Sequence, residues 1–363
     1  MADRVADDVL AVVPCLNEEA HLPELLSWLA ADARGALVVV ADGGSTDRSR
    51  AIVSEMARLH PQIVLLDNPR RIQSAAVNLA TRRFGRGRRW MVRLDAHARY
   101  PRSFIDRLCR SALETGATSV VVPMVTSGSR CFQRGVAAAQ NTLLGTGGAP
   151  HRHVGDGAWV EHGHHALFDL SLFMAVGGYD EAFTANEDAE LDRRLIAAGG
   201  RIWLEPRAAI TYFPRSGATA LFRQYRAYGR GRARNLKRHP APVRLRQMLP
   251  LAVVPASLAG GAGLAFAPWW GEALLFAVPM ILWLGASLLG GLWLGWRGRS
   301  LCAAVSGPAA LTMHLAWSLG FIAEALSRRP MPPAPEPLLF ADCASPQGAT
   351  APVLEAGALA GSR

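Results

Sequence analysis

Lysine is almost missing from this chain: Lys237 is the only one among 39 basic residues, so the formal charge of +10 is carried by arginine. Cysteine is sparse. Cys15, Cys109, Cys131, Cys302 and Cys343 are odd in number, scattered and without CxxC spacing. That pattern predicts reduced thiols in a cytosolic domain and excludes a sequence-evident disulfide frame or zinc ribbon. The acidic start "MADRVADDVL" has no apolar h-region, so no secretory signal is expected. No GxGxxG follows the first apolar run, where the turn reads "PCLNEE", and no GxxxxGK[ST] occurs. Both common phosphate cradles are therefore excluded. Five histidines fall within "HRHVGDGAWVEHGHH", yet HExxH is absent and no i,i+4 histidine pair sits on a credible helix. A zinc hydrolase is not indicated.

What is present divides into a soluble α/β domain over residues 1–245, an almost uncharged membrane domain over 246–328, and a Pro/Ala/Gly/Ser-rich tail over 329–363 that reads as disordered. The middle part holds about three hydrophobic runs, Met248–Trp269, Glu272–Trp296 and Leu301–Leu326, each long enough to span a bilayer. "PWWGE" suits an outer turn with interfacial tryptophans, and Arg297–Arg299 a cytoplasmic loop. Nine basic residues and no acid lie between Arg223 and Arg246, which places the large domain in the cytoplasm. Three spans would leave Arg328 and Arg329 outside; a third run that carries His314 and Glu324 and lies re-entrant or at the interface removes the conflict. The basic run abuts a membrane segment and is poor in aromatics, so nucleic acid is not the expected partner.

In the first part, continuous β-branched runs alternate with amphipathic segments: "VLAVVP", "ALVVVAD", "QIVLLDNP", "WMVRLDAH" and "TSVVVPMV" are the candidate strands. Such alternation predicts a mostly parallel sheet flanked by helices. Ligands bind at the carboxyl ends of such strands, here Pro14–Glu18, Asp42–Ser45 and Asp95–His97. Asp95 and His97 are one residue apart at a strand end, so strand periodicity turns them to one side. A carboxylate with a neighbouring ligand is what a divalent cation needs to bridge a diphosphate; an aspartate closing a strand also serves as a turn residue.

"TANEDAELDRRL" places Glu187, Asp188, Glu190 and Asp192 within six residues. Locally this is a helix start: Asn186 caps, the acids complement the helix dipole, Glu190 pairs with Arg194, and Leu191 and Leu195 face the core.

"VVPCLNE", "ADGGSTD", "RLDAHA", "NEDAEL" and "YGRGRARNLKRHP" occur in the order seen in glycosyltransferase family 2, which has the GT-A fold. The set resembles the ExoA-type succinoglycan-biosynthesis glycosyltransferases, membrane-anchored enzymes that extend lipid-linked oligosaccharides. The resemblance runs from about Val9 to Pro250. It implies a GT-A nucleotide-diphospho-sugar transferase fold followed by C-terminal transmembrane helices.

The resemblance also implies residue roles. Pro14, Asn17 and Glu18 would contact the nucleotide, with Asn17 also able to cap a helix. Asp42 would accept from a nucleobase, and an acceptor-only carboxylate suits the imide N–H of uracil. Arg71 would touch the diphosphate. Asp95 and His97 match the metal motif and would hold Mn²⁺ or Mg²⁺; the imidazole favours Mn²⁺. Asp188 matches the catalytic base, and Glu187 would position the helix start and touch the acceptor. Glu161 and His162 would line the acceptor site. Gln224, Arg230 and Arg232 would reach acceptor or diphosphate, although Ala227 and Tyr228 depart from the QxxRW box of processive synthases, which favours single-sugar addition. The expectation is an inverting hexosyltransferase that uses a UDP-hexose, UDP-glucose above all, and a lipid-linked saccharide at a bacterial inner membrane. The alternatives are a polyprenyl-phosphate sugar transferase and a non-catalytic nucleotide-sugar-binding scaffold.

Overall fold

The computed structural model describes residues 8–33, 35–146, 156–240 and 249–341, without the side chains of Thr146 and His165. The 245/246 boundary, His151, His153 and Cys343 lie outside them.

The chain runs β1 (Val9–Cys15), α1 (Leu22–Asp32), β2 (Leu37–Asp42), α2 (Ser49–Leu59), β3 (Ile63–Asp67), α3 (Gln73–Phe84) and β4 (Trp90–Arg93). It continues with β5 (Ala98–Arg99), α4 (Phe104–Thr115), β6 (Ser119–Val122), β7 (Met124–Thr126), α5 (Cys131–Gln140), α6 (Leu143–Thr146), β8 (Ala158–Val160) and β9 (His164–Asp169). Then come α7 (Leu170–Ala175), α8 (Glu187–Ala197), β10 (Ile202–Leu204), β11 (Ile210–Tyr212) and α9 (Ala218–Arg238). The apolar third holds α10 (Val253–Phe266), α11 (Val278–Arg297), α12 (Leu301–Ala304) and α13 (Ser306–Ala325).

Eight strands form one sheet in the order β3-β2-β1-β4-β9-β6-β10-β8. The β3-β2-β1-β4 half is parallel, as the alternating pattern predicts, while β9 runs antiparallel between β4 and β6. Successive residues of β1 face opposite ways. Val9, Ala11 and Val13 meet α1 and α4 in one core, whereas Leu10 and Val12 meet α3, α7 and α8 in the other. Burial on both faces explains why these strands read as unbroken apolar runs. The expected strand "TSVVVPMV" divides at Pro123 into β6 and β7, since proline cannot donate to the ladder. β7 joins β5 and β11 in a small second sheet. That sheet sets Tyr212 opposite Ala98, close to His97.

Three expectations need correction. First, among the described residues two stretches, Leu249–Phe266 and Gly271–Arg297, are long and apolar enough to cross a membrane, with mean hydropathies of 1.7 and 2.1. The third run is mostly α13, which packs along α9 and α5. Ala309 and Ala316 are buried in this packing and Gly320 lies against Arg226 of α9, while Gly307 meets α11 at Ser287 and Leu288 and the Ser318 hydroxyl donates to Leu251 O. Glu324 is likewise buried and meets Arg230 and Arg234 of α9 at 3.7 and 3.2 Å.

Second, the tail does not begin in disorder. Leu338 and Phe340 pack against the second core, the Leu338 N–H donates to Met174 O at 2.8 Å, and the Ala341 N–H donates to Arg82 O at 2.9 Å. Gly177 makes room for this strap. Its φ is +87°, and a Cβ there would stand 2.6 Å from Glu336 O. Third, Cys131 and Cys302 form a disulfide that ties α5 to α12 across 171 residues of sequence, so they are not the reduced thiols expected. The return of the apolar helices onto the domain brings them together. Cys15 and Cys109 are free and buried.

Candidate active site

Strand ends and one helix start build the site. At its centre is Arg93, which ends β4 and is only 5% exposed. Its Nη1 donates to Asp188 Oδ1 at 2.7 Å and to the Tyr179 hydroxyl at 2.8 Å. Tyr179 in turn donates to Asp188 Oδ1 at 2.8 Å. Asp95 and Glu187 each stand 3.6 Å from Arg93 Nη2. Burial works against the guanidinium charge, but Asp188 first, then Tyr179, Asp95 and Glu187, raise its pKa well above the ordinary value. The same environment splits the acids. Burial pushes Asp95 up, yet Arg93, His164 and His97 outweigh it and hold the carboxyl below its usual value. Glu187 is pushed up to about 7, by burial first and then by Asp188.

Asp95 and His97 both line one cavity, although β4 ends at Arg93 and His97 sits in a turn, so the loop after the strand and not strand periodicity brings them there. Gln73 donates to Asp95 Oδ1 at 3.1 Å, and His164 Nε2 lies 3.6 Å from Oδ2. His97 Nδ1 lies 3.0 Å from Glu18 Oε1, and this hydrogen bond raises the imidazole pKa. Glu18 therefore orients His97. Among the described residues no three His, Cys, Asp or Glu side chains converge on one cation position. The carboxylate and imidazole still fit a divalent ion that takes its other ligands from a bound diphosphate.

The loops expected to meet the nucleotide lie at the ends of β1 and β2, where Pro14 pairs with Ala41. Asn17 does not cap α1. Its N–H donates to Ser45 Oγ, and its side-chain oxygen accepts from Thr46 N, both at 2.8 Å. Asp42 ends β2. This carboxylate is 1% exposed and accepts from Gly44 N, Ser45 N, Ser45 Oγ and Arg50 Nη1. Asp42 thus shapes its own loop. Burial would raise its pKa, but the Ser45 and Arg50 hydrogen bonds hold it low. Arg71 has a left-handed backbone, φ 58°, and lays its guanidinium against Gly44.

Asn186 precedes α8 in the left-handed region, φ 67°, and makes no side-chain cap. Gly231 of α9 explains the placement, because a Cβ there would stand 2.3 Å from Ala185 O. Leu191 and Leu195 are buried, and Arg194 grips Glu190 through two hydrogen bonds, as expected.

His162 lines the cavity, with Nδ1 at 2.5 Å from the buried Asp192 carboxylate. Glu161 is exposed and is not among the residues that line the cavity. Gln224 and Arg232 line the wall, with Gln224 donating to the Tyr212 and Tyr228 hydroxyls. Arg230 is not among the main cavity's lining residues and stands 3.7 Å from Glu324. Sequence reasoning missed Arg93, Tyr179, His164 and Arg215. Arg93 had a signal: a cation two residues before Asp95 on a buried strand shares its side.

The cavity has a volume of 1360 Å³. Its lining joins Asp95, His97, Glu187 and Asp188 to mostly apolar residues of α10, α11 and α13, with Ser287 and His314 among them.

This mixed sheet, with an Asp-x-His strand end facing a Glu-Asp helix start, defines a GT-A glycosyltransferase. The family pattern of Glycosyl transferase family 2 matches residues 10–177. The chain is 48% identical over 322 residues to the succinoglycan biosynthesis protein ExoA of Rhizobium meliloti (strain 1021), a match that covers 88% of this chain and 96% of that protein. It therefore belongs to glycosyltransferase family 2 and to its ExoA-type members. A pre-mycofactocin glycosyltransferase of Mycobacterium tuberculosis (strain CDC 1551 / Oshkosh) is 26% identical over 336 residues, covering 89% of this chain and 68% of its own. The fold is shared with a mannosyltransferase of Pyrobaculum calidifontis solved with GDP-mannose and Mn²⁺. That pair has a TM-score of 0.52 and 22% identity, with coverage of 89% of this chain and 88% of that one.

Proposed function

We propose that this chain is an inverting, metal-dependent hexosyltransferase of exopolysaccharide synthesis. It moves glucose from UDP-glucose, the donor its family resemblance implies, onto a polyprenyl-diphosphate-linked oligosaccharide. The observation that carries the reading is the single cavity that joins the Asp95, His97 and Asp188 cluster to apolar helices. A soluble acceptor would not need that apolar wall.

In the proposed reaction the acceptor hydroxyl forms a bond to the anomeric carbon as the bond to the diphosphate oxygen breaks. Asp188 takes the hydroxyl proton. Arg93 and Tyr179 aim its carboxylate, and the electron pair of the broken bond leaves with UDP. Mn²⁺ or Mg²⁺ held by Asp95 and His97 would neutralise charge on the departing diphosphate. Glu187, titrating near neutrality, offers a proton-sharing contact to acceptor hydroxyls.

The α10–α11 hairpin enters the bacterial inner membrane with the catalytic domain on the cytoplasmic face. Its outward residues support this: Trp269, Leu275, Leu289 and Trp296 are all more than half exposed, an apolar surface that water alone would not tolerate. Two spans return the chain to its starting side, so Arg297, Arg299, Arg328 and Arg329 all meet the positive-inside preference.

The test is radiolabel transfer from UDP-glucose into solvent-extracted lipid by membranes carrying the protein. Label should appear with the wild type and vanish with Asp188→Asn while nucleotide binding persists. Label on free lipid phosphate would instead mark a polyprenyl-phosphate transferase. Nucleotide binding without any transfer would mark a scaffold.

A further inference from the structure

The apolar wall of the cavity is built as regularly as the catalytic one. α11 presents Pro279, Leu282, Trp283 and Ala286 at i, i+3, i+4 and i+7, one face of a helix. α10 adds Val253 and Ala256 at i, i+3, and α13 adds Met313 and Trp317 at i, i+4. The Trp283 indole N–H is spent on His314 Nδ1 at 3.3 Å, so the polar edge of that side chain is satisfied within the wall. Close helix packing holds the wall in shape. A Cβ on Gly291 would stand 2.4 Å from Gly307 N, and one on Gly263 would stand 2.3 Å from Ala273 O.

α9, which packs along α13, also lines the cavity and presents Ala220, Arg223, Gln224 and Ala227 with the same helical spacing, and Arg215 precedes that helix. Neither Arg215 nor Arg223 makes an ion pair among the described residues, unlike Arg230, Arg234 and Arg238 on the same helix. The cavity therefore combines uncommitted cations with an apolar sleeve, and both are continuous with the catalytic carboxylates.

We propose that this sleeve is a binding site for the hydrocarbon tail of a phosphate-bearing lipid. The first isoprenoid or alkyl units lie inside the protein between α10, α11 and α13, with the phosphate toward Arg215 and Arg223. The inference rests on the reading of a lipid-linked acceptor and goes further: the tail is recognised by the enzyme and is more than an anchor in the bilayer. Each buried methylene adds roughly fourfold to affinity, so tail length sets acceptor affinity until the sleeve is full and has no effect beyond that point.

The test measures dissociation constants for prenyl diphosphates of increasing tail length, with inorganic diphosphate as the tail-less member, on full-length protein in nanodiscs. Wild type is compared with Ala286→Trp and with Ala256→Trp on the facing helix, either of which fills the sleeve. Leu289→Trp, on the exposed side of α11, serves as the surface control because it shares any partition of the tail into lipid. The expected result is a steep rise in affinity with tail length in wild type and Leu289→Trp. In the two filled variants that rise should be lost at least tenfold, while inorganic diphosphate binds alike in all four. Affinity independent of tail length in wild type, or an unchanged rise in both filled variants, overturns the proposal. Sugar transfer with one KM at every tail length would leave the transferase reading standing while this one fell. The absence of transfer, with tail discrimination intact, would do the reverse.

Discussion

Replacing Glu187 by glutamine keeps the shape of the side chain and removes its ionisation. In the folded chain this carboxyl is pushed from an ordinary 4.5 up to about 7, first by burial and then by Asp188, and the side chain is 13% exposed. That difference amounts to about 3 kcal/mol in favour of the neutral form. The sign follows from proton counting. Between 4.5 and about 7 the folded chain keeps a proton that the unfolded chain has released, so stability falls as pH rises through that window. Above it the whole cost is present, and below it the cost is absent. Glutamine has no such cost. Glu187→Gln should melt with wild type near pH ~4 and be more stable by about 3 kcal/mol near pH ~8. At about 2–4 °C per kcal/mol for a domain of this size, the melting temperature should rise by several degrees. Thermal melting in detergent across that range reads the difference directly. A gap between variant and wild type that stays constant with pH would refute the assignment of a raised Glu187.

Three further outcomes follow from the same contacts. Arg93→Met leaves Asp95, Glu187 and Asp188 without their shared cation and should cost about 3–5 kcal/mol, with the loss growing as pH rises; an unchanged melting temperature at pH ~8 would contradict the central role of Arg93. His97 supplies a nitrogen donor, so Mn²⁺ should support turnover at least as well as Mg²⁺, and His97→Asp should shift the preference toward Mg²⁺; activity with Mg²⁺ alone in wild type would sink that reasoning. Leu338→Ala with Phe340→Ala should lower stability by about 2–3 kcal/mol, because both side chains close the second core; equal unfolding midpoints would mean that the strap only rests on the surface.

The parallel half of the sheet and the strand-end residues were legible because burial on both faces writes itself as unbroken apolar runs. Helical spacing likewise gave Leu191, Leu195 and the Glu190–Arg194 pair, whereas Asp95 and His97 reach one cavity through the turn after β4 and not through the strand periodicity expected of them. What stayed hidden depends on contacts far apart in sequence. Arg93 meets Asp188 across 95 positions and Asn78 meets Tyr179 across 101, distances over which local pattern carries no information. Asp42 looked free because nothing in "DGGSTD" states that its own turn and Arg50 occupy both oxygens. Cys131 and Cys302 had no spacing signal, since only the return of the apolar helices joins them. The third hydrophobic run misled because small residues read as lipid-facing by hydropathy, whereas their size is what lets α13 lie close against α9. Phe340 and Leu338 sit in a proline-rich context that resembles a linker, and only the groove beside Gly177 explains them.

The central claim is a carboxylate-assisted sugar transfer to a lipid-borne acceptor. Its most direct test is UDP release from UDP-glucose, UDP-galactose and GDP-mannose by detergent-solubilised protein with Mn²⁺, with and without a bacterial lipid extract. The account predicts release from UDP-glucose that the lipid stimulates, and a drop of about 10²–10⁴-fold in Asp188→Asn. Lipid-stimulated release that persists in Asp188→Asn, or no binding of any of these nucleotides, would contradict it.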